Sequence, residues 1–435
     1  MIWNKVMECA DRETMAALQL KKIKESVKYQ YERIPYYKEK MDKAGVKPED
    51  IQTIEDFHSV PFMEKQDFAD NYPTGLFARP MSDIVRIHAS SGTTGKPKIV
   101  GYTADDIELW AECFARGLAM AGCTKDSVVH ISYGYGLFTG GFGAHHGAEK
   151  IGATVIPISS GQTEKQITFL QDMKSNILCC TPSYAATIAE RCEQKGIGPE
   201  DLQLTAGIFG AEPWTQSMRD RIERGLGIKA HDIYGLTELM GPGVAVSCDE
   251  NAGMHIAEDY VYPEIVDVDT GKVLGDGEKG ELVLTALGKQ GVPVTRYRTR
   301  DICSLTHEKC ACGRTSVRMT RIMGRTDDML IVRGVNVFPS QVETVIARFD
   351  ELTMNYKLYV GRKGNNDTFE LGVELAEGLP IDDMSFIEGL RNQVTYRLRE
   401  MLGIGCKVRF LSPGTLPRSE GKAKRVEDTR TTYSE

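Results

Sequence analysis

The sequence predicts an α/β protein in two parts: a large N-terminal α/β domain with mostly parallel sheets, and a small α/β domain at the C-terminal end. Three observations carry this. At 435 residues the chain exceeds one typical domain. Between residues 127 and 233, short apolar segments alternate with helical ones at the spacing of a parallel sheet with helical crossovers. Past Gly324-Arg325-Thr326-Asp327-Asp328, a polar stretch between two apolar ones, a second compact α/β pattern begins. The expected domains are therefore residues 1–326 and 327–435.

Taken in order, Asp11 to Glu39 is rich in Lys, Glu, Leu and Ala and reads as one long amphipathic helix. Thr53–Phe68 holds short apolar pieces and Pro61, so small helices and turns are expected. Ile84–His88 alternates apolar and polar, and Ile99–Tyr102 reads as its partner strand, which puts Ser90–Lys98 at a hairpin tip. Thr103–Ala121 is a predicted helix and Ser127–Ser132 a strand. From Tyr133 to Gly143 glycines alternate with aromatics, poor material for a helix and suited to a pocket wall or to a turn into the helix His145–Ile151. Strands follow at Thr154–Pro157, Ile177–Cys180 and Leu204–Phe209, and helices at Glu164–Met173, Tyr184–Lys195 and Trp214–Gly225. In such sheets ligands bind beyond the carboxyl ends of the strands. That rule singles out the glycine-aromatic run, the loop Gly210-Ala211-Glu212-Pro213, and the turn after His231-Asp232-Ile233. Short strands continue from Tyr260 to Leu305. Beyond the boundary come a strand at Met329–Val332, a helix at Pro339–Phe349, strands near Leu358 and Phe369, a helix at Ser385–Met401 and a strand at Lys407–Phe410.

Composition narrows the class. With 41% hydrophobic and 26% charged residues, the chain has the make-up of a globular protein that buries a real core. A net charge of −8 opposes nucleic acid as a main partner, because phosphate backbones select basic surfaces. No apolar run is long enough to span a bilayer, and the first residues lack the apolar core of a signal peptide. Eleven cysteines, an odd number without an export signal, read as reduced thiols, core residues or metal ligands, and a cytoplasmic location is expected.

The stretch Ser90-Ser91-Gly92-Thr93-Thr94-Gly95-Lys96-Pro97-Lys98 packs two glycines, four hydroxyls and two lysines into nine residues. Glycines let backbone approach a ligand closely, and amides, hydroxyls and lysines suit phosphate oxygens. It is not a Walker loop, since Pro97 stands where that motif needs Ser or Thr for magnesium. On composition alone it is equally a plain hairpin tip. Further on, Cys310-Ala311-Cys312 forms a Cys-x-Cys knuckle, with Cys303 and His307 just upstream and Cys248 and His255 further back. Two pairs of N and S donors suit structural zinc, but spacing does not choose among Cys303, His307, Cys248 and His255 for the remaining ligands.

The nine-residue loop closely resembles the phosphate loop of adenylate-forming enzymes, the acyl-CoA synthetase, adenylation-domain and luciferase superfamily. The resemblance implies that Ser90, Ser91, Gly92, Thr93, Thr94, Gly95 and Lys96 hold the phosphates of ATP. Tyr234-Gly235-Leu236-Thr237-Glu238 matches the family's second signature, with Tyr234 and Gly235 at adenine, the Thr237 hydroxyl at the α-phosphate and the Glu238 carboxylate on Mg²⁺. Asp301 matches its ribose-binding aspartate, Arg325 a second ribose contact, Asp327 the pivot of domain rotation, and Lys422 the catalytic lysine, with Lys424 as a nearby rival.

The runs Ser132–Gly141, Arg333-Gly334-Val335-Asn336-Val337-Phe338-Pro339 and Arg418–Ala423 are similar to the phenylacetate–coenzyme A ligase family across essentially the whole chain. This implies a small mobile C-terminal domain and the reaction of an aryl acid with ATP and CoA, through an acyl-adenylate, to acyl-CoA, AMP and pyrophosphate. It also implies that Asp232 and Gly210, Ala211, Glu212 and Pro213 surround adenine, and that Tyr133, Phe138 and Ala211 line the aryl pocket. Gly334 is expected beside the pantetheine tunnel, and Cys248, His255, Cys310 and Cys312 are the expected zinc ligands. Two other readings stay open at this point: an enzyme that loads a carrier protein, and a non-catalytic nucleotide or acyl-CoA sensor. A homodimer and a monomer are both compatible with the sequence.

Overall fold

The computed structural model describes residues 1–90, 97–326, 330–333, 335–363, 366–417 and 425–430. Its centre is a nine-stranded sheet. The strands Thr154–Ile156, Val128–Ile131, Ile177–Cys180, Ala206–Gly210 and Lys229–Leu236 lie side by side and run parallel. From the last of these the sheet continues antiparallel through Gly241–Ser247, Met254–Ile256, Arg318–Met319 and Leu305–Thr306.

The inner parallel strands Ile177–Cys180 and Ala206–Gly210 are buried on both faces, as helical crossovers require. In Ile177–Cys180, Ile177 and Cys179 pack with Phe114, Ala144 and Ile151, whereas Leu178 and Cys180 pack with Ile167, Ile188 and Ile222. Continuous apolar runs in these strands follow from that double covering.

A second, four-stranded antiparallel sheet (Val261–Val266, Gly280–Ala286, Tyr297–Cys303, Gly324–Arg325) shares a core with the N-terminal helices. Arg86–Ser90 and Lys98–Tyr102 form the expected antiparallel hairpin, with Ser90 opposite Lys98. The C-terminal part has a core of its own. There Val342, Ile346, Leu390, Val394 and Leu398 of two helices pack on Leu358, Val360, Leu371 and Val373 of a four-stranded sheet. Among the described residues no helix is long and apolar enough to cross a membrane.

Two expectations needed correction. The single helix from Asp11 to Glu39 is two, Arg12–Arg33 and Pro35–Ala44, because Pro35 pushes Ile34 out of the helical region to φ −115°, ψ 105°. The glycine-rich run is partly helical: the helix starts at Gly140 and runs to Ile151. Its glycines are packing devices, since a Cβ at Gly143 would lie 2.8 Å from Trp110 and one at Gly147 2.8 Å from Phe114. Helix Ala104–Met120 can therefore approach closely, and the poor intrinsic propensity of glycine is overridden by burial.

Candidate active site

Three strand ends open into one cleft of about 800 Å³. Its walls include Ser90 and Lys98 from the hairpin, the loop Gly210–Pro213, the run Asp232–Glu238, and the strand Tyr297–Asp301. Gly324, Arg325, Phe338, Pro339 and Ser340 close it from the C-terminal side. The expected nucleotide residues in the described part of the chain thus converge, although they are spread over more than 200 positions.

Each is held by a specific device. Ser90 ends its strand with a buried hydroxyl that has no partner among the described residues, a donor left for a ligand. Ser91, Gly92, Thr93, Thr94, Gly95 and Lys96 lie outside the described residues. Gly210 must be glycine, because a Cβ there would sit 2.1 Å from the Ile233 carbonyl. Ala211 follows with φ 74°, and Glu212 accepts the Ser183 amide at 2.8 Å.

Around the second signature the bonds are dense. The Tyr102 hydroxyl donates to the Thr237 carbonyl at 2.7 Å, and Lys289 Nζ donates to the Glu238 carbonyl at 2.9 Å. The Glu238 carboxylate is buried, accepts from the Tyr297 hydroxyl at 3.0 Å and is ion-paired with Lys98. Burial acts to raise the Glu238 carboxyl, but Lys98 outweighs it and holds it below its ordinary value. Burial also pushes the Lys289 ammonium down, to about 8. Asp301 accepts from Tyr234 at 2.6 Å and is paired with Arg325, whose other nitrogen reaches the Thr299 carbonyl at 3.3 Å. Strand register sets this pair, since Asp301 lies directly opposite Arg325.

Other expected positions have different surroundings. Asp232 lines the cleft, but its carboxylate is already engaged by Trp214 Nε1, by Arg219 at 2.5 Å and by Arg321 at 3.2 Å. The side chain therefore organises a Trp–Arg cluster beside the loop Gly210–Pro213. Tyr133 is buried in a core cluster with Ile131, Ile177 and Ile208, with its hydroxyl 3.4 Å from the Ile208 carbonyl, and Phe138 is 45% exposed. Neither is among the residues lining the cleft, whereas Ala211 is. Asp327, Gly334 and Lys422 lie outside the described residues. Sequence reasoning missed Tyr102, Tyr297 and Lys289, whose partners lie 135, 59 and 51 positions away and carry no local signature.

The cysteine cluster sits at the other end of the sheet. Ligand atoms of Cys248, His255, Cys310 and Cys312 all lie within 4.8 Å of one another. Cys248 Sγ is 3.7 Å from Cys310 Sγ, and Cys312 Sγ is 3.4 Å from His255 Nε2. The other His255 nitrogen faces Ser316 Oγ at 2.9 Å, which fixes the ring. Burial, helped by Arg314 and Arg318, pushes His255 down to about 3, so the imidazole is neutral and able to ligate. The rival Cys303 is buried in its strand, and His307 faces Asp276 at the surface. Three thiols and a neutral imidazole are a donor set that fits zinc.

Residues 9–288 match the family model of AMP-binding enzymes, and residues 334–430 match that of the AMP-binding enzyme C-terminal domain. The chain is 50% identical to a phenylacetate-coenzyme A ligase of Escherichia coli, over 98% of this chain and 97% of the relative. It is 46% identical to one of Thermus thermophilus, over 99% and 100%. Among solved structures, a 2-hydroxyisobutyryl-CoA ligase in the postadenylation state with 2-HIB-AMP superposes with TM-score 0.92 at 27% identity, covering 98% of this chain and 92% of that one. The same ligase with CoA in the thioesterification state gives only 0.74 at 28% identity, over 99% and 92%.

Proposed function

The chain belongs to the AMP-binding enzyme family, and from that premise we propose that it is an AMP-forming aryl-acid–CoA ligase that converts phenylacetate, ATP and CoA into phenylacetyl-CoA, AMP and pyrophosphate. One observation carries the reading: near-full-length identity of 46–50% to four phenylacetate-coenzyme A ligases.

A carboxylate is a poor electrophile, and joining it to AMP supplies a good leaving group. The chain's own groups divide this work. Asp301 and Arg325 orient the ribose, the Thr237 hydroxyl faces the α-phosphate, and the Ser90 hydroxyl and its loop hold the outer phosphates. Magnesium fits the site, since a single carboxylate, Glu238, beside a phosphate-binding loop is the usual donor set for an ion shared with ATP. When bound it neutralises phosphate charge. Lys422, assigned from its motif, offsets charge at the α-phosphate as pyrophosphate departs. Ala211 bounds the space for the aryl ring, and Gly334 leaves room for pantetheine.

The separate C-terminal core supports a boundary at residues 326/327 with Asp327 as the pivot. Better superposition on the solved ligase in its postadenylation state, TM-score 0.92, than in its thioesterification state, 0.74, supports this reading. A structural zinc held by Cys248, His255, Cys310 and Cys312 completes the reading; it closes a knuckle and takes no part in the chemistry. None of the eleven cysteines is in a disulfide, which suits the cytoplasm, and a homodimer is the assembly to test by light scattering.

AMP release with a panel of aryl acids, with and without CoA, tests the function. We expect CoA-dependent turnover, greatest with phenylacetate. Adenylation followed by transfer only to a phosphopantetheinylated carrier protein would overturn it.

A further inference from the structure

One cation beneath the cleft has no part in the contacts expected of ATP. Lys289 is only 4% exposed and is not among the residues lining the cleft. Among the described residues it has no carboxylate at ion-pair distance. Its Nζ donates to the Glu238 carbonyl at 2.9 Å and lies 4.7 Å from the centre of the Tyr102 ring. A buried ammonium without a paired charge is expensive, and packing alone is served better by an apolar side chain.

The loop that carries it is fastened from outside the cleft. The Gln290 and Gly291 amides donate to the two Asp106 oxygens at 2.7 and 2.8 Å. The Gly288 amide reaches Ser26 Oγ at 3.3 Å, and the Tyr29 hydroxyl donates to the Gln290 carbonyl at 3.0 Å. The ammonium is therefore placed by two helices that do not bind the nucleotide. Above it, Glu238 is bound differently at its two ends. Its carboxylate is held by Lys98 and Tyr297, its carbonyl by Lys289. Lys98 and the Tyr297 hydroxyl both bind Oε1 of that carboxylate, so magnesium arriving with ATP alters the charge balance at this end of Glu238. Lys289, buried and on the main-chain side, need not move.

We propose that Lys289 is a positioning residue for adenylation: its ammonium, together with the Tyr102 hydroxyl, fixes the main chain of Thr237-Glu238, so the carboxylate keeps its place when magnesium and ATP arrive. The inference rests on the ligase reading above and deepens it.

The test uses the full chain carrying Lys289→Met, which keeps volume and removes charge and donor, and Lys289→Gln, which restores a donor. Three quantities are measured: phenylacetate-dependent ATP–pyrophosphate exchange, conversion of supplied phenylacetyl-adenylate with CoA, and calorimetric binding of a non-hydrolysable ATP analogue with magnesium. Supporting groups behind a metal-binding carboxylate are typically worth ~10–100-fold, so Lys289→Met should lose that much exchange and analogue affinity while thioester formation stays within about threefold. Lys289→Gln should recover part of the loss. If Lys289→Met does not fold, the same selective loss in Lys289→Gln decides. Equal loss of both half-reactions, or no loss in exchange and binding, overturns the role of Lys289. A wild type that adenylates no aryl acid overturns the ligase reading itself, which keeps the two failures distinct.

Discussion

Strand Gly241–Ser247 begins beside the cleft, paired with Gly235 and Leu236, and ends at Cys248 in the thiol cluster. The two regions it joins are built on opposite principles. In the cleft a donor is left over: the Ser90 hydroxyl has no partner among the described residues, while Lys98 and Tyr297 meet a single oxygen of the Glu238 carboxylate. In the cluster, four soft donors face one another, and the ring of His255 is locked by Ser316. An incomplete site can exchange partners during a reaction, while a closed one stabilises whatever it joins. Function and stability should therefore respond separately to substitutions at the two ends of one strand.

The largest effect is expected on the chemistry. Lys422→Ala should lose ~10²–10³-fold in adenylation from ATP yet still convert supplied phenylacetyl-adenylate to thioester, the loss typical of a positioned electrostatic group. Asp327→Pro should do the reverse, since proline freezes φ at the boundary. Loss of the same half-reaction in both variants would show that one static site performs both steps.

Next comes the closed end. Cys310→Ser or Cys312→Ser should abolish stoichiometric zinc and lower the melting temperature, with adenylation by the folded fraction within about threefold of wild type, as for a structural rather than catalytic metal. Arg314 makes the loss spread, because it bonds Glu8 at 2.6 Å, the Met1 carbonyl at 2.7 Å and Cys312 Sγ at 3.6 Å. If zinc-free protein melts like wild type, the cluster is a group of ordinary thiols and the contrast between the regions fails.

The smallest effect concerns the C-terminal part. Burial raises the Glu343 carboxyl to about 7 against the pull of Arg425 and the Tyr356 hydroxyl, with Glu212 adding to the rise. The folded form thus holds a proton that the unfolded chain releases near 4.5. Stability from Glu343 is fully present below that pH and is lost as pH rises through about 7, by up to about 3 kcal/mol. Melting curves across this interval should show the slope in wild type and not in Glu343→Gln; parallel curves would remove Glu343 as its source.

Much of this was readable beforehand, for reasons that can be named. The parallel core announced itself because strands such as Ile177–Cys180 are covered on both faces and so are continuously apolar. Ser90, Thr237, Glu238, Asp301 and Arg325 were legible because each lies in a short motif. The supports were not. Lys289 and Tyr102 act on main-chain carbonyls, which every residue has, so nothing in their neighbourhood marks the partner. The helical start at Gly140 was misread because its glycines answer to Trp110 and Phe114 across a helix interface. Asp232 lines the cleft, but its capture by Trp214, Arg219 and Arg321 depends on side chains that no local motif marks.

Phe338, Pro339 and Ser340 form one wall of the cleft, and all three lie beyond the proposed boundary. For inhibitor design this wall is a latch. A non-reactive mimic of the acyl-adenylate long enough to grip it would join the two bodies that part in the proposed cycle. Its dissociation would be limited by the opening of the enzyme rather than by the bonds it makes. Such a compound should show slow onset and a residence time out of proportion to its size, whereas an analogue trimmed short of Ser340 should equilibrate rapidly.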